Sequence, residues 1–318
     1  MTSGKFAKSQ NDELLPLHRR LASFNRLRLT PRLDPSDWRA SLREEMELRV
    51  VEGHVVEAER QQIAPIAEAA PDPPREFIDW FESLRETGAA QSYGFYQWLA
   101  ESADREELSW FLTQELAGGD EPEDLFALTQ LHLPWRAKLE IARCYWDEMG
   151  QGQAAAMRSR ILDGFTRELH ADATHAPAGE VLARSNIMLA LASNRHYAFQ
   201  SIGALGAVEL CSPGPARFVS SALKRLGFSL EASAYFNSRS KLGVLRAHAW
   251  SYDVILPLIA QDSRIGTAVA EGALMRLAAD ARCLERFKRE LNVPSSGPHA
   301  VQSPSTAEPS WSQRTNAR

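Results

Sequence analysis

Apolar positions recur with a helical period over most of this chain. Phe77, Trp80, Phe81 and Leu84 stand at i, i+3, i+4 and i+7, the stripe of a helix with one buried face. Asp104, followed by Glu107 and then by Leu108, Phe111 and Leu112, has the form of a capping box that opens a helix. Residues 137–149 predict a helix that places Leu139, Ala142, Tyr145, Trp146 and Met149 inward and stops at Gly150. Residues 186–210 are apolar on nearly all sides, which predicts one central helix; Gly203 and Gly206 within it allow a neighbour to approach closely. Further helices are expected over 213–226, ended by Gly227, over 232–250 and over 262–290. Strands and helices do not alternate, and no repeat of fixed period is present. The expected fold class is all-α, a single bundle of about seven to nine helices.

Three stretches depart from that pattern. In LRVVEGHVV, residues 48–56, valines flank Glu52-Gly53, and a short β-hairpin is the expectation there. The prolines of 70–74 predict an extended linker. From Pro294 onward the chain is rich in Pro and Ser, the composition of a disordered tail. The implied organisation is an N-terminal arm or extension over 1–74, a helical bundle over 75–292 and a tail over 293–318. The arm is basic, with His18 and five arginines between residues 18 and 32, and is expected to lie on the main body.

Composition narrows the class of function. With 44% hydrophobic residues in 318, the chain can bury a sizeable core. A net charge of -5 gives no general attraction to nucleic acid or anionic lipid. No run of 18 apolar residues exists to span a membrane, and the first residues lack the apolar segment of a secretory signal. Cys144, Cys211 and Cys283 have neither zinc spacing nor an even count for a disulfide framework. A reducing cytoplasm is the simplest location.

Two glutamates stand on otherwise apolar faces. Glu115 follows Leu108, Phe111 and Leu112 on one stripe, and Glu209 closes the apolar run IGALGAVEL. Each either reaches water from a helix end or is paired, protonated or metal-bound, because an unpaired buried carboxylate is costly. The segments FLTQE, KLEIARCYWDEMGQG, NRHYAFQSIGALGAVEL, YFNSRSKLGVLRAHAW and EGALMRLAADARCLERF follow in this order. Together they resemble the iron-containing redox enzymes of the haem-oxygenase-like superfamily, over about residues 75 to 290. The resemblance implies a haem-oxygenase-like bundle and an oxygen-using enzyme of small-molecule biosynthesis. It also implies two irons held by a Glu and a His seven residues later, a second Glu, and a His-x3-Asp-x2-His helix.

Carried over residue by residue, the resemblance places Glu115 and Glu209 at the two glutamate positions. Pro122 then stands at the first histidine position, and Arg239, Gly243 and Arg246 at the last three. Guanidinium offers no lone pair and glycine no side chain, so the ligand set argues against a diiron centre; Glu115 and Glu209 are at best vestigial ligands. Arg239 and Arg246, seven apart, lie on one helical face and are expected to neutralise Glu115 and Glu209 in an ion-pair cluster. The alternative is that both arginines reach solvent from an amphipathic helix.

Other polar residues carry weaker expectations. Glu140, Asp147 and Glu148 read as a solvated face, with a proton-transferring pair as the alternative. His196, Tyr235 and Trp250 are candidates to line a pocket. Three functions stay open at this stage. One is an oxidoreductase whose arginines and glutamates, Glu115, Glu209, Arg239 and Arg246, bind and activate a small, anionic substrate. A second is a metal-dependent oxidase with ligands outside the positions named above. The third is a non-catalytic or accessory relative, with a homodimer through its apolar helices as one arrangement.

Overall fold

The computed structural model describes residues 10–294 except 32, 34–36, 118–121 and 170–175. These residues form thirteen α-helices: α1 (Gln10–Leu29), α2 (Trp38–Ala67), α3 (Pro74–Glu101), α4 (Arg105–Leu116), α5 (Pro122–Thr129), α6 (Trp135–Glu148), α7 (Arg158–Glu168), α8 (Gly179–Ser193), α9 (Ala198–Cys211), α10 (Pro213–Arg225), α11 (Leu230–Ala249), α12 (Leu256–Gln261) and α13 (Arg264–Glu290). Among the described residues there is no strand, as an all-α bundle requires. No helix among them is long and apolar enough to cross a membrane. The tail expected over 293–318 lies outside the described residues from 295 onward.

Several boundaries follow the local signals. Asp104 accepts from the Glu107 amide while the Glu107 carboxylate accepts from the Asp104 amide, completing the capping box that starts α4. Gly150 and Gly227 take positive φ just past α6 and α10, where a residue with a Cβ is strained. The apolar stretch 186–210 is two helices rather than one. The Asn194 side chain accepts from the His196 amide and holds a 3₁₀ turn, Arg195–Tyr197, between α8 and α9.

The N-terminal segment corrects one expectation. Residues 48–56 are not a hairpin; they lie inside α2, where Leu48, Glu52, Val56, Ile63 and Ala67 are buried at helical spacing. Burial of that stripe overrides the strand preference of the valines, and Glu52 receives two hydrogen bonds from Arg28. Residues 10–67 also pack on the main body as helices. Leu21 and Phe24 of α1 are buried, Val56 and Ile63 join the main core, and Asn186 of α8 donates to the His18 carbonyl oxygen. These two helices are one reason that the helix count exceeds the seven to nine expected.

Two apolar cores share α3, α8 and α13. One gathers Phe77, Phe81, Ile141, Leu205 and Trp250; the other gathers Phe95, Phe111, Val219, Leu284 and Phe287. The closest helix crossing is α9 against α13. A Cβ on Gly203 would collide with the Val269 carbonyl, and one on Gly272 with the backbone of Gln200, so glycine at both positions sets the interaxial distance. Beyond α11 the chain widens into a π-helical turn, Trp250–Ile255, just before Pro257, which has no N–H to continue the ladder. The turn seats the fully buried Trp250 with its indole N–H on the Ile202 carbonyl.

Gly272→Ala is predicted to cost at least about 3 kcal/mol, the upper range for overpacking, because backbone rather than a movable side chain must yield. Denaturant unfolding measures this; a loss below about 1 kcal/mol would show that α9 and α13 separate easily.

Candidate functional site

One set of buried charged groups is brought together by α6, α9 and α11. Glu148 ends α6, Glu209 nears the end of α9, and Arg239 and Arg246 lie two turns apart on α11. Arg246 donates through Nη1 to Glu148 Oε1 at 2.7 Å and through Nη2 to Glu209 Oε1 at 2.9 Å. Arg239 Nη1 donates to the same Glu148 oxygen at 3.2 Å, and Arg158 Nη1 of α7 lies 3.6 Å from Glu148 Oε2. Glu148, Glu209 and Arg246 are all buried. Burial alone would raise the Glu148 carboxyl, but the charges of Arg239, Arg158 and Arg246 outweigh it and hold the group at about 2. The opposite effect acts on the arginines: burial would lower Arg246, and the two carboxylates instead raise it.

Glu115 belongs to a separate group. Arg184 Nη1 of α8 bonds Glu115 Oε1 at 3.1 Å and Asp280 Oδ1 of α13 at 3.3 Å. Arg276 Nε bonds Asp280 Oδ2 at 2.8 Å. Burial would raise the Asp280 carboxyl, yet Arg276 and Arg184 keep it below its ordinary range. Two carboxylates here meet two guanidinium groups, a balanced set.

A cavity of about 870 Å³ connects the two groups. Glu115, Arg184 and Asp280 line it, as do Glu148, Glu209 and Arg239. Leu112, Leu205, Leu277 and Phe287 supply apolar wall. Cys211 and Cys283 also line it, and burial pushes both thiols up to about 12, so neither is a ready nucleophile.

The expected cluster is thus present in part. Arg239 and Arg246 do point inward, and Arg246 does pair with Glu209. The structure pairs Glu115 with Arg184 instead of Arg239 or Arg246. The shared carboxylate is Glu148, which the sequence reading assigned to a solvated face. Its neighbours on the helix explain the error. Ala137, Ile141, Cys144 and Glu148 form the buried stripe, whereas Leu139 and Trp146, read as inward, are exposed. Arg184 could have been found as the one cation within the apolar run EVLARSNIMLALA of α8. Tyr235 lines the cavity as expected. His196 does not: it is exposed on the turn before α9. Trp250 is packed behind the wall against Gly206 and Phe126.

These residues do not fit the two irons that a haem-oxygenase-like resemblance implies. Glu209 is engaged by a guanidinium, as is Glu115. A side chain at Gly243, where the resemblance calls for an aspartate, would run into the Pro213 ring, 2.6 Å from a Cβ. Among the described residues, no three His, Cys, Asp or Glu side chains come together as a metal-binding group.

Glu148→Gln is predicted to destabilise the fold by about 3–5 kcal/mol, because three arginines then face one carboxylate. The low folded-state value also sets a pH dependence. The stability contributed by Glu148 is fully present above its ordinary 4.5 and is lost as pH falls toward about 2. Unfolding free energy of the native chain should therefore fall more steeply than that of Glu148→Gln across this window; parallel profiles would contradict the assignment.

No curated protein matches the sequence. A family model described as "iron-containing redox enzyme" matches residues 109–281, a segment running from α4 to α13 that contains both charged groups and most of the cavity wall. That match spans more than half of the chain, and the chain belongs to the iron-containing redox enzyme family.

Proposed function

We propose that this chain is an oxidoreductase of small-molecule biosynthesis that acts on an anionic substrate without a complete diiron centre. The observation that carries the reading is the placement of Arg239: it stands in the wall of an open cavity of about 870 Å³. A cluster that served only to neutralise buried carboxylates has no need of such a space. The volume falls within the range of about 300–1,000 Å³ usual for small-molecule sites. Family membership supports redox chemistry, and the guanidinium groups support an anionic substrate. Glu115, whose side chain is one-third exposed beside Arg184, is a cavity-lining carboxylate in a position to accept a proton from a bound molecule.

A second reading, a non-catalytic relative, is favoured by one observation. Glu209 and Glu148 are both occupied by arginines, which leaves neither free as a base.

Metal analysis tests the first reading. Protein reconstituted anaerobically with ferrous iron and desalted should retain less than about 0.2 iron per chain, because too few donors face one another to hold it. Retention of about two per chain would overturn the assignment of the ligand positions.

A further inference from the structure

We propose that the solvent-facing side of α6 docks a second copy of this chain, the two α6 helices lying antiparallel across a two-fold axis. The proposal is independent of what the cavity binds. Ala137, Ile141, Cys144 and Glu148 turn one side of α6 to the interior. Trp135, Leu139 and Trp146 stand on the opposite side and are 74%, 64% and 52% exposed. At about 3.6 residues per turn these three fall within roughly 40° of one another, and the half-buried Ala142 borders the same strip. The helix is therefore apolar on two sides, one of which is left in water. Trp38, Leu42, Met46 and Val50 of α2 are exposed as well. Each step of four residues turns those by roughly 40°, so they wind around their helix and give no single face.

The symmetry of the pattern identifies the occupant. A two-fold interface presents the same patch from both copies, so if residue i meets residue j, j must also meet i. In an antiparallel pair the outer side of α6 meets itself reversed. Its apolar positions read alike in both directions: Trp135, Leu139, Ala142 and Trp146 are spaced by four, three and four. Reversal sets Trp135 against Trp146 of the partner subunit and Leu139 against Ala142 of the partner subunit. The flank of the strip carries Arg136, Glu140, Arg143 and Asp147 at the same spacing. Their signs alternate, so reversal sets each cation against an anion: Arg136 against Asp147 of the partner subunit, and Glu140 against Arg143 of the partner subunit. The centres of the two sets differ by one residue, about 1.5 Å along the axis, so one docked arrangement serves both. Within one copy these charges keep capacity to spare. Arg143 pairs with Glu140 and Asp147 of its own helix yet is 47% exposed, and Arg136 meets Asp253 at 3.4 Å with its side chain 58% exposed. Lys138, on the other flank, falls opposite Tyr145 of the partner subunit rather than a cation. The tryptophans alone would suit many partners, whereas the reversed order of charges is matched by this chain itself. A pair of helix faces is a small interface, below about 1,200 Å², so the dimer should come apart on dilution.

Sedimentation velocity of the full-length chain between about 1 and 200 μM tests the proposal, with dimer dominant at the upper end. Trp135→Asp should leave the helical circular dichroism unchanged and weaken the dimer at least about tenfold. Arg136→Asp sets two carboxylates against each other and should weaken it at least about threefold. Adding Asp147→Arg to Arg136→Asp restores opposite charges and should return the affinity to within about twofold of the native chain. A chain that stays monomeric throughout, as a face kept for a different protein would give, overturns the proposal. So does a dimer untouched by Trp135→Asp, with its loss in Met46→Asp placing the contact on α2 instead. A double reversal as weak as Arg136→Asp alone also overturns it. If Trp135→Asp fails to fold, Leu139→Asp makes the same test.

Discussion

The buried guanidinium of Arg246 is the constraint around which the interior of this protein is arranged. Each of its terminal nitrogens holds a different carboxylate, Glu148 of α6 and Glu209 of α9, while the arginine itself comes from α11. Three helices are thereby tied at one point. Removing these ions from water carries a large cost, and the hydrogen bonds recover it only when the geometry of all three is kept. Without the arginine, two carboxylates would stand near each other in a low dielectric, and one would be driven to take up a proton. The electrostatic demand therefore fixes the register of α11 against α6 and α9, and with it the position of Arg239 in the cavity wall.

The same scaffold in an iron-containing relative would need donors with lone pairs at these positions. This chain instead places guanidinium groups there, and Pro213 fills the space that a side chain at position 243 would take. Charge pairing replaces coordination here because guanidinium groups and a glycine, which offer a metal no lone pair, stand where the other donors would be needed. The exchange leaves the bundle closed by ion pairs and leaves the Arg239 guanidinium in a cavity wall that also carries carboxylates.

Much of the fold was legible in the chain because its signals are local. The Asp104–Glu107 capping box and the glycines after α6 and α10 are decided within a few residues. So was the close approach at Gly203, since only a small residue tolerates a backbone at that distance. The errors arose where tertiary packing decides. The valines of 48–56 favour a strand in isolation, yet Leu48, Glu52 and Val56 lie on the helical stripe that α1 and the core bury. On α6, two large apolar residues at Leu139 and Trp146 drew the inward face to the wrong side. The true stripe, Ala137–Ile141–Cys144–Glu148, ends in a charge, and a charge discourages reading a face as buried until its arginine partners are known. Those partners lie on α7 and α11, remote in sequence, so nothing near Glu148 announces them. The split between Glu115 and Glu209 is of the same kind, because Arg184 reaches Glu115 from α8 and is shared with Asp280 of α13.

The direct test of the central pairing is a double-mutant cycle on Glu209 and Arg246, with Glu209→Gln, Arg246→Met and the double variant unfolded in denaturant at neutral pH. The buried pair predicts a coupling energy of at least about 1.5 kcal/mol, in the range measured for close charge pairs. Additivity of the two single effects to within about 0.5 kcal/mol, the behaviour of independent sites, would contradict the account.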